Sequence, residues 1–230
     1  MTVLHKSSFF NLQSSIPALI AALVITTLTS SAAVSRAQSW HTVRWVNDGD
    51  TVVLTNGQRV RYIGINAPEI DHEKQKAQPF GYAARSFNKR MVLKQKIRLE
   101  FDRERHDRYD RVLAYIFLPD NTFINERMLQ KGLAFFLFHK PNQKYSRRLL
   151  KAQQEAMNAG NGLWKNWREQ KKRYIGNRNS RRFHKESCAS ARKIKRRNRT
   201  HFSTKWDAFK AGFAPAGGCI REFWSYGSRD

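Results

Sequence analysis

The sequence predicts an α+β fold: a small barrel of five short strands carrying about three helices, followed by a small basic C-terminal module. Three observations predict it. Five β-branched or alternating segments follow one another between His41 and Leu118. A helical period interrupts them after the third. Beyond Trp164 aliphatic residues become rare and cationic residues crowd together. These set the expected organisation: residues 1–37 an export signal, 38–166 the barrel domain, and 167–230 a basic extension.

Residues 1–37 carry the three-part layout of a secretory signal: His5 and Lys6, an apolar run of 13 residues from Ile16 to Leu28, then small residues. Small-x-small cleavage fits after Ala33 or Ala37. An uncleaved anchor is the alternative, but the run falls short of the ~20 residues that span a bilayer. The expectation is therefore a secreted or periplasmic protein without a stable membrane anchor.

The five strands are HTVRWV, TVVLT, QRVRYIGI, KIRLEF and VLAYIFL. Asn56-Gly57 between the second and third is a strong hairpin signal, because both residues tolerate the backbone of a tight turn. PDNT after the fifth is turn chemistry, and Phe123–Asn125 reads as a short returning strand. The segment GYAARSFNKRMVLK puts Ala84, Phe87, Met91 and Val92 on one helical face. NERMLQKGL has Asn125 as a candidate N-cap and Gly132 as a stop. SRRLLKAQQEAMNAG has Ser146 as a candidate N-cap and ends at Gly160. Five strands with a helix after the third is the layout of an OB-fold barrel.

Residues 165–205 hold sixteen lysines and arginines against Glu169 and Glu186. A disordered basic arm is one reading. Recurrent aromatics (Tyr174, Phe183, Phe202, Trp206, Phe209, Phe213) and the helix-Gly-Pro pattern of KWDAFKAGFAP favour a small stapled module. In an oxidising compartment Cys188 and Cys219 are candidates for a disulfide.

A formal net charge of +25 points to polyanionic partners, nucleic acid first and an anionic membrane surface second. The chain lacks the amphipathic helix expected of a membrane-surface protein. Against this charge, Asp48-Gly49-Asp50-Thr51 places two carboxylates at the start of a strand. The hairpin folds Asp50 back beside Asn66 or Glu69, so carboxylate and amide oxygens gather at one rim. Oxygen donors suit a hard cation, Ca²⁺ before Mg²⁺. The bland alternative for Asp48 is an Asx turn. Arg61 and Arg111 are placed to complement the cluster, since guanidinium forks hold phosphate. Together these are parts for water attack on a phosphodiester.

DGDTV, RVRYIGINAPE, FGYAARSFNKRMV, DRYDRVLAYI, NERMLQKGLA and HKPN, in this order and spacing, resemble the thermonuclease (staphylococcal nuclease-like) family over residues 40–164. The resemblance implies an OB barrel that hydrolyses DNA and RNA with Ca²⁺ and leaves 3′-phosphate ends. It implies Asp50 as a metal ligand, Asn66 at a position usually held by aspartate, Ala67 as a ligand through its carbonyl, and Asp48 as a nearby acid. It implies Glu69 as the base or organiser of the attacking water, Arg61 and Arg111 as phosphate-binding residues, and Tyr109 as a nucleotide contact. Where some members present tyrosines to the base, Leu137 and His139 stand here, and His139 is the candidate substitute. The expected substrates are DNA and RNA, the expected state a monomer, and no protein partner is implied. A non-catalytic OB-fold nucleic-acid-binding protein is the alternative, favoured by Asn66 and disfavoured by the retained Asp50, Glu69, Arg61 and Arg111.

The C-terminal third resembles a small cysteine module related to the Ada metal-binding domain. A zinc site there would need His184, Cys188, Cys219 and a fourth ligand, one more than the sequence offers. The disulfide is the favoured reading of the two cysteines.

Overall fold

A computed structural model describes residues 1–2, 39–71 and 76–220 of the chain. The expected export signal and its cleavage sites lie outside the described residues. In chain order the strands are β1 (Trp40–Val46), β2 (Thr51–Leu54), β3 (Arg59–Tyr62), β4 (Ile65–Asn66), β5 (Lys96–Glu100), β6 (Val112–Phe117) and β7 (Phe135–Phe136). The helices of this part are α1 (Gly81–Val92), α2 (Ile124–Gln130) and α3 (Ser146–Asn158). Strands β1, β2, β3, β6 and β5 close into a barrel in that order, the OB-fold that the sequence predicts. Most pairings are antiparallel; β3 and β6 pair in parallel and close the ring across the insertion of α1.

Alternation sorts side chains between the inside of the barrel and its outside. Val43, Val52, Leu54, Val60, Tyr62, Ile97 and Ile116 are buried in its core. Every residue of β6 is buried, because α2 packs on its outer side. The β2–β3 hairpin turns on Thr55-Asn56-Gly57. Gly57 N–H bonds the Leu54 carbonyl, the Leu54 N–H bonds the Gln58 carbonyl, and Gly57 takes a left-handed φ of 83°. The Asn-Gly signal therefore marks a three-residue turn rather than a two-residue one.

Two local readings differ from the structure. Phe123–Asn125 does not form a strand: Phe123 makes one isolated bridge to Phe117, and α2 begins at Ile124. Asn125 is accordingly not an N-cap. It lies inside the helix, fully buried, accepting from Ile116 N–H and donating to the Ile63 carbonyl, so it pins α2 to β6 and to the turn after β3. Such a residue satisfies buried backbone groups that the barrel leaves open. Ser146 is likewise the first residue of α3 rather than its cap, and Tyr145 at the cap position supplies no side-chain bond.

The C-terminal segment is folded. Strands β8 (Tyr174–Asn177), β9 (Arg182–Lys185), β10 (Arg199–Phe202) and β11 (Ala214–Pro215) form a sheet in the order β10-β8-β9-β11, with short helices α4 (Ala189–Arg192) and α5 (Lys205–Lys210). Its aromatics do not make a private core. Tyr174, Phe183, Phe209 and Phe213 cluster with Phe135, Met157, Leu163 and Trp164 of the barrel part. Gln153 in α3, fully buried, accepts from Phe136 N–H and donates to the Phe209 carbonyl, bridging the two parts. Glu169, one of the two acids in the basic stretch, accepts from the N–H groups of Lys205 and Trp206 and so caps α5 together with Thr204. Among the described residues no helix is long and apolar enough to cross a membrane.

Cys188 and Cys219 are joined in a disulfide, with His184 Nδ1 3.2 Å from the Cys219 sulfur. Both sulfurs that a zinc ion would need are thus bonded to each other. The bridge closes a loop of 31 residues. Cys188→Ser is expected to cost about 3 kcal/mol of unfolding free energy in the oxidised protein, mostly through the unfolded chain. Denaturant titration checks it; equal midpoints with and without reductant in the wild type would contradict it.

Candidate active site

The turn before β2 is built by contacts the sequence does not display. Asp48 Oδ1 accepts from the Asp50 N–H at 2.9 Å, an Asx turn. Gly49 sits so close to its neighbours that a Cβ there would lie 2.5 Å from Ala67 Cβ and 2.8 Å from Ala84 Cβ. Asn88 of α1, fully buried, donates to the Asp48 carbonyl and accepts from the Tyr62 hydroxyl. The acids are therefore held by the barrel and α1 together.

Asp50, only 5% exposed, is the hub. Its Oδ1 lies 3.0 Å from Arg61 Nε and accepts from the Thr51 hydroxyl; its Oδ2 accepts from Ala67 N–H at 2.6 Å. Arg61 also donates to the Tyr62 carbonyl and to Asn66 Oδ1. Three of its five N–H groups are thereby used, which leaves one on each terminal nitrogen for a bidentate acceptor. The Asn66 amide donates to the Ala67 carbonyl, so both expected carbonyl and amide donors lie beside Asp50 and bond to their own neighbours.

Arg111 is oriented by Asp107, a residue that sequence reading passed over. Asp107 Oδ2 accepts from Arg111 Nε at 2.8 Å, and Oδ1 from the Arg111 and Tyr109 N–H groups. Burial alone pushes the Asp107 carboxyl up, but the Arg111 hydrogen bonds outweigh it and hold it below the ordinary carboxylate range. Asp48, Asp50, Arg61, Glu69 and Arg111 line one cleft of about 280 Å³, with Leu137 and His139 on its wall. His139 bonds Glu104 at 2.9 Å. Tyr109 does not line this cleft: it is 54% exposed, with the guanidinium of Arg111 5.5 Å from its ring centre. The C-terminal sheet reaches the same wall. Arg182 donates to the carbonyl of Phe138, between Leu137 and His139, and burial lowers its affinity for its proton.

The cluster's charge is unevenly compensated. Burial first, and the nearby Asp50 charge second, push the Asp48 carboxyl up to about 7. Asp48, Asp50 and Glu69 line one cleft in which a guanidinium pairs with Asp50, and the donors they offer are all oxygen. The residues fit a hard divalent cation, with Asp48, Asp50 and Glu69 as the charges it would neutralise. The sign of the pH effect follows. The folded carboxyl keeps its proton above the ordinary 3.8 of aspartate, so without an ion Asp48 loses its stabilising contribution as pH rises from about 4 through 7. In chelator, the unfolding temperature of Asp48→Asn minus that of the wild type is expected to grow across that window; a difference independent of pH would contradict it.

Comparisons with known proteins give the family of the chain. The sequence model of the staphylococcal nuclease homologue family matches residues 59–166. The chain is 39% identical over 141 residues to a thermonuclease of Staphylococcus hyicus, covering 59% of this chain and 82% of that protein. It is 42% identical over 125 residues to a thermonuclease of Staphylococcus intermedius, covering 53% and 74%. It is 36% identical over 136 residues to endonuclease YncB of Bacillus subtilis (strain 168), covering 57% and 62%. An OB barrel whose rim gathers carboxylates and guanidiniums, with relatives of this kind, defines a nuclease. The chain belongs to the staphylococcal nuclease family.

Proposed function

We propose that the protein is an exported, calcium-dependent nuclease that hydrolyses phosphodiester bonds of DNA and RNA with little sequence specificity and leaves 3′-phosphate ends. The observation that carries this reading is the single cleft holding Asp48, Asp50, Glu69, Arg61 and Arg111. Family membership supports the calcium and the product chemistry. The disulfide and the apolar segment at residues 16–28 support export to a secreted or periplasmic location.

The roles divide by charge. A bound Ca²⁺ supplies positive charge at the acidic rim, offsetting phosphate charge and favouring ionisation of water. Glu69 accepts the proton of the attacking water at its carboxylate. Arg61 and Arg111 present their remaining N–H groups to the non-bridging phosphate oxygens, where negative charge builds as the phosphorus gains a fifth oxygen. Asp50 and Asp107 fix the two guanidiniums, so little reorganisation is left for the reaction. These contacts are to phosphate rather than to base edges, which predicts tolerance of sequence. The basic C-terminal sheet adds phosphate contacts and hence salt dependence.

The test is a divalent-ion series on single-stranded DNA, plasmid and RNA with end-group analysis of the products. Calcium is expected to support cutting of all three, chelator to stop it, and 3′-phosphates to appear. Binding without cutting in every ion tested would overturn the reading.

A further inference from the structure

Strict alternation along β1 would send Trp45 inward with Val43. The structure does the opposite. The pairing of β1 with β2 slips between Val43 and Trp45, so Val46 enters the core and Trp45, 50% exposed, faces out. A bulge of this kind re-aims a side chain, and bulges gather beside active sites. Displaying half an indole to water forgoes the burial a tryptophan ordinarily gains, so the position calls for a ligand.

The surroundings identify the ligand's chemistry. Arg85 of α1 donates from Nε to the Val46 carbonyl, and its guanidinium carbon sits 5.3 Å from the Trp45 ring centre. Trp45, Arg59 and Arg85 wall a second cleft of about 400 Å³ that shares Asp48, Glu69 and Arg111 with the catalytic cleft. A strand whose phosphate lies at Arg111 and Glu69 continues directly into this second cleft. It meets there an aromatic ring with Arg85 beside it and Arg59 on the same cleft, a set that suits a base and its sugar-phosphate backbone.

We propose that Trp45 is a base-stacking subsite for the nucleotide adjoining the scissile phosphate, with Arg59 and Arg85 flanking its backbone. This rests on the nuclease reading and adds a substrate contact that the phosphate-binding residues do not provide. Trp45 acts on binding, so its effect falls on KM. The site tolerates any base, because every base has a flat face, and favours purines over pyrimidines by their larger overlap.

The experiment uses single-stranded DNA with one cleavable linkage, carrying an abasic residue on one side of that linkage or the other. Trp45→Ala is expected to raise KM on the order of ten-fold with kcat within about two-fold, and Trp45→Phe to recover most of the loss. An abasic residue on one particular side should penalise the wild type similarly and add no further penalty to Trp45→Ala. Cleavage with unchanged KM in Trp45→Ala, or an abasic penalty equal in both proteins, would overturn the subsite while leaving the nuclease reading intact. Absence of cleavage in the wild type would defeat that reading itself, and the subsite with it.

Discussion

Glu69→Gln is expected to lower kcat by a factor on the order of 10²–10⁴ with little change in fold or KM. The side chain lines the catalytic cleft, whereas the loop that carries it is held through the main chain. Glu69 N–H donates to Gln78 Oε1 at 3.0 Å, and the Gln78 N–H returns to the Glu69 carbonyl at 2.9 Å. Those bonds survive the substitution. The amide keeps the shape and a polar oxygen, but it cannot take a proton from water near neutral pH. It also removes one of the three charges at the rim, so calcium should be bound more weakly. Single-turnover kinetics at saturating calcium separates these effects: a loss that persists at saturation belongs to the proton. Turnover within a few-fold of the wild type would remove Glu69 from the reaction.

Asp50→Ala is expected to strike stability and activity together. Asp50 holds Arg61 Nε, the Thr51 hydroxyl and the Ala67 N–H at once, and Arg61 is itself only 9% exposed. Removing one partner of a buried pair leaves an uncompensated charge, at a cost of ~3–5 kcal/mol. The same change takes away the central carboxylate of the rim, so the response to calcium should vanish. Denaturant titration measures the first effect. The double variant Asp50→Ala/Arg61→Ala should be less destabilised than the two single changes added, because the orphaned charge is gone. Strict additivity would mean that the pair contributes nothing, and an intact calcium response would mean that the ion is held elsewhere.

What was legible in the sequence is what local chemistry encodes. Asn56-Gly57 announced the hairpin because few other residues accept its backbone, and the hairpin alone was enough to bring Asp50 beside residues 66–69. The β-branched segments announced the strands, and Gly132 and Gly160 stand just beyond α2 and α3 as read. The misreadings came where tertiary contacts override local signals. Asn125 resembles an N-cap by composition, yet its side chain serves two backbone groups, one of them in a turn 62 residues earlier. Asn88, Asp107, Gln153 and Arg182 each position part of the site or its support through partners that no spacing rule connects. Tyr109 remains close to Arg111 but outside the cleft that encloses the acids. The outward turn of Trp45 depends on one extra residue in a ladder, invisible to a pattern of period two. The C-terminal aromatics were read as a separate small core; they share one with α3 and Trp164, because a segment so rich in lysine and arginine buries too little surface alone.

The most direct measurement is a crystal structure of the protein soaked with calcium and a nucleotide bearing a terminal phosphate. The expected result is one ion at the rim formed by Asp48, Asp50 and Glu69, with the phosphate oxygens held by Arg61 and Arg111. An empty rim, with Asp50 still bonded to Arg61 alone and the phosphate bound elsewhere, would contradict it.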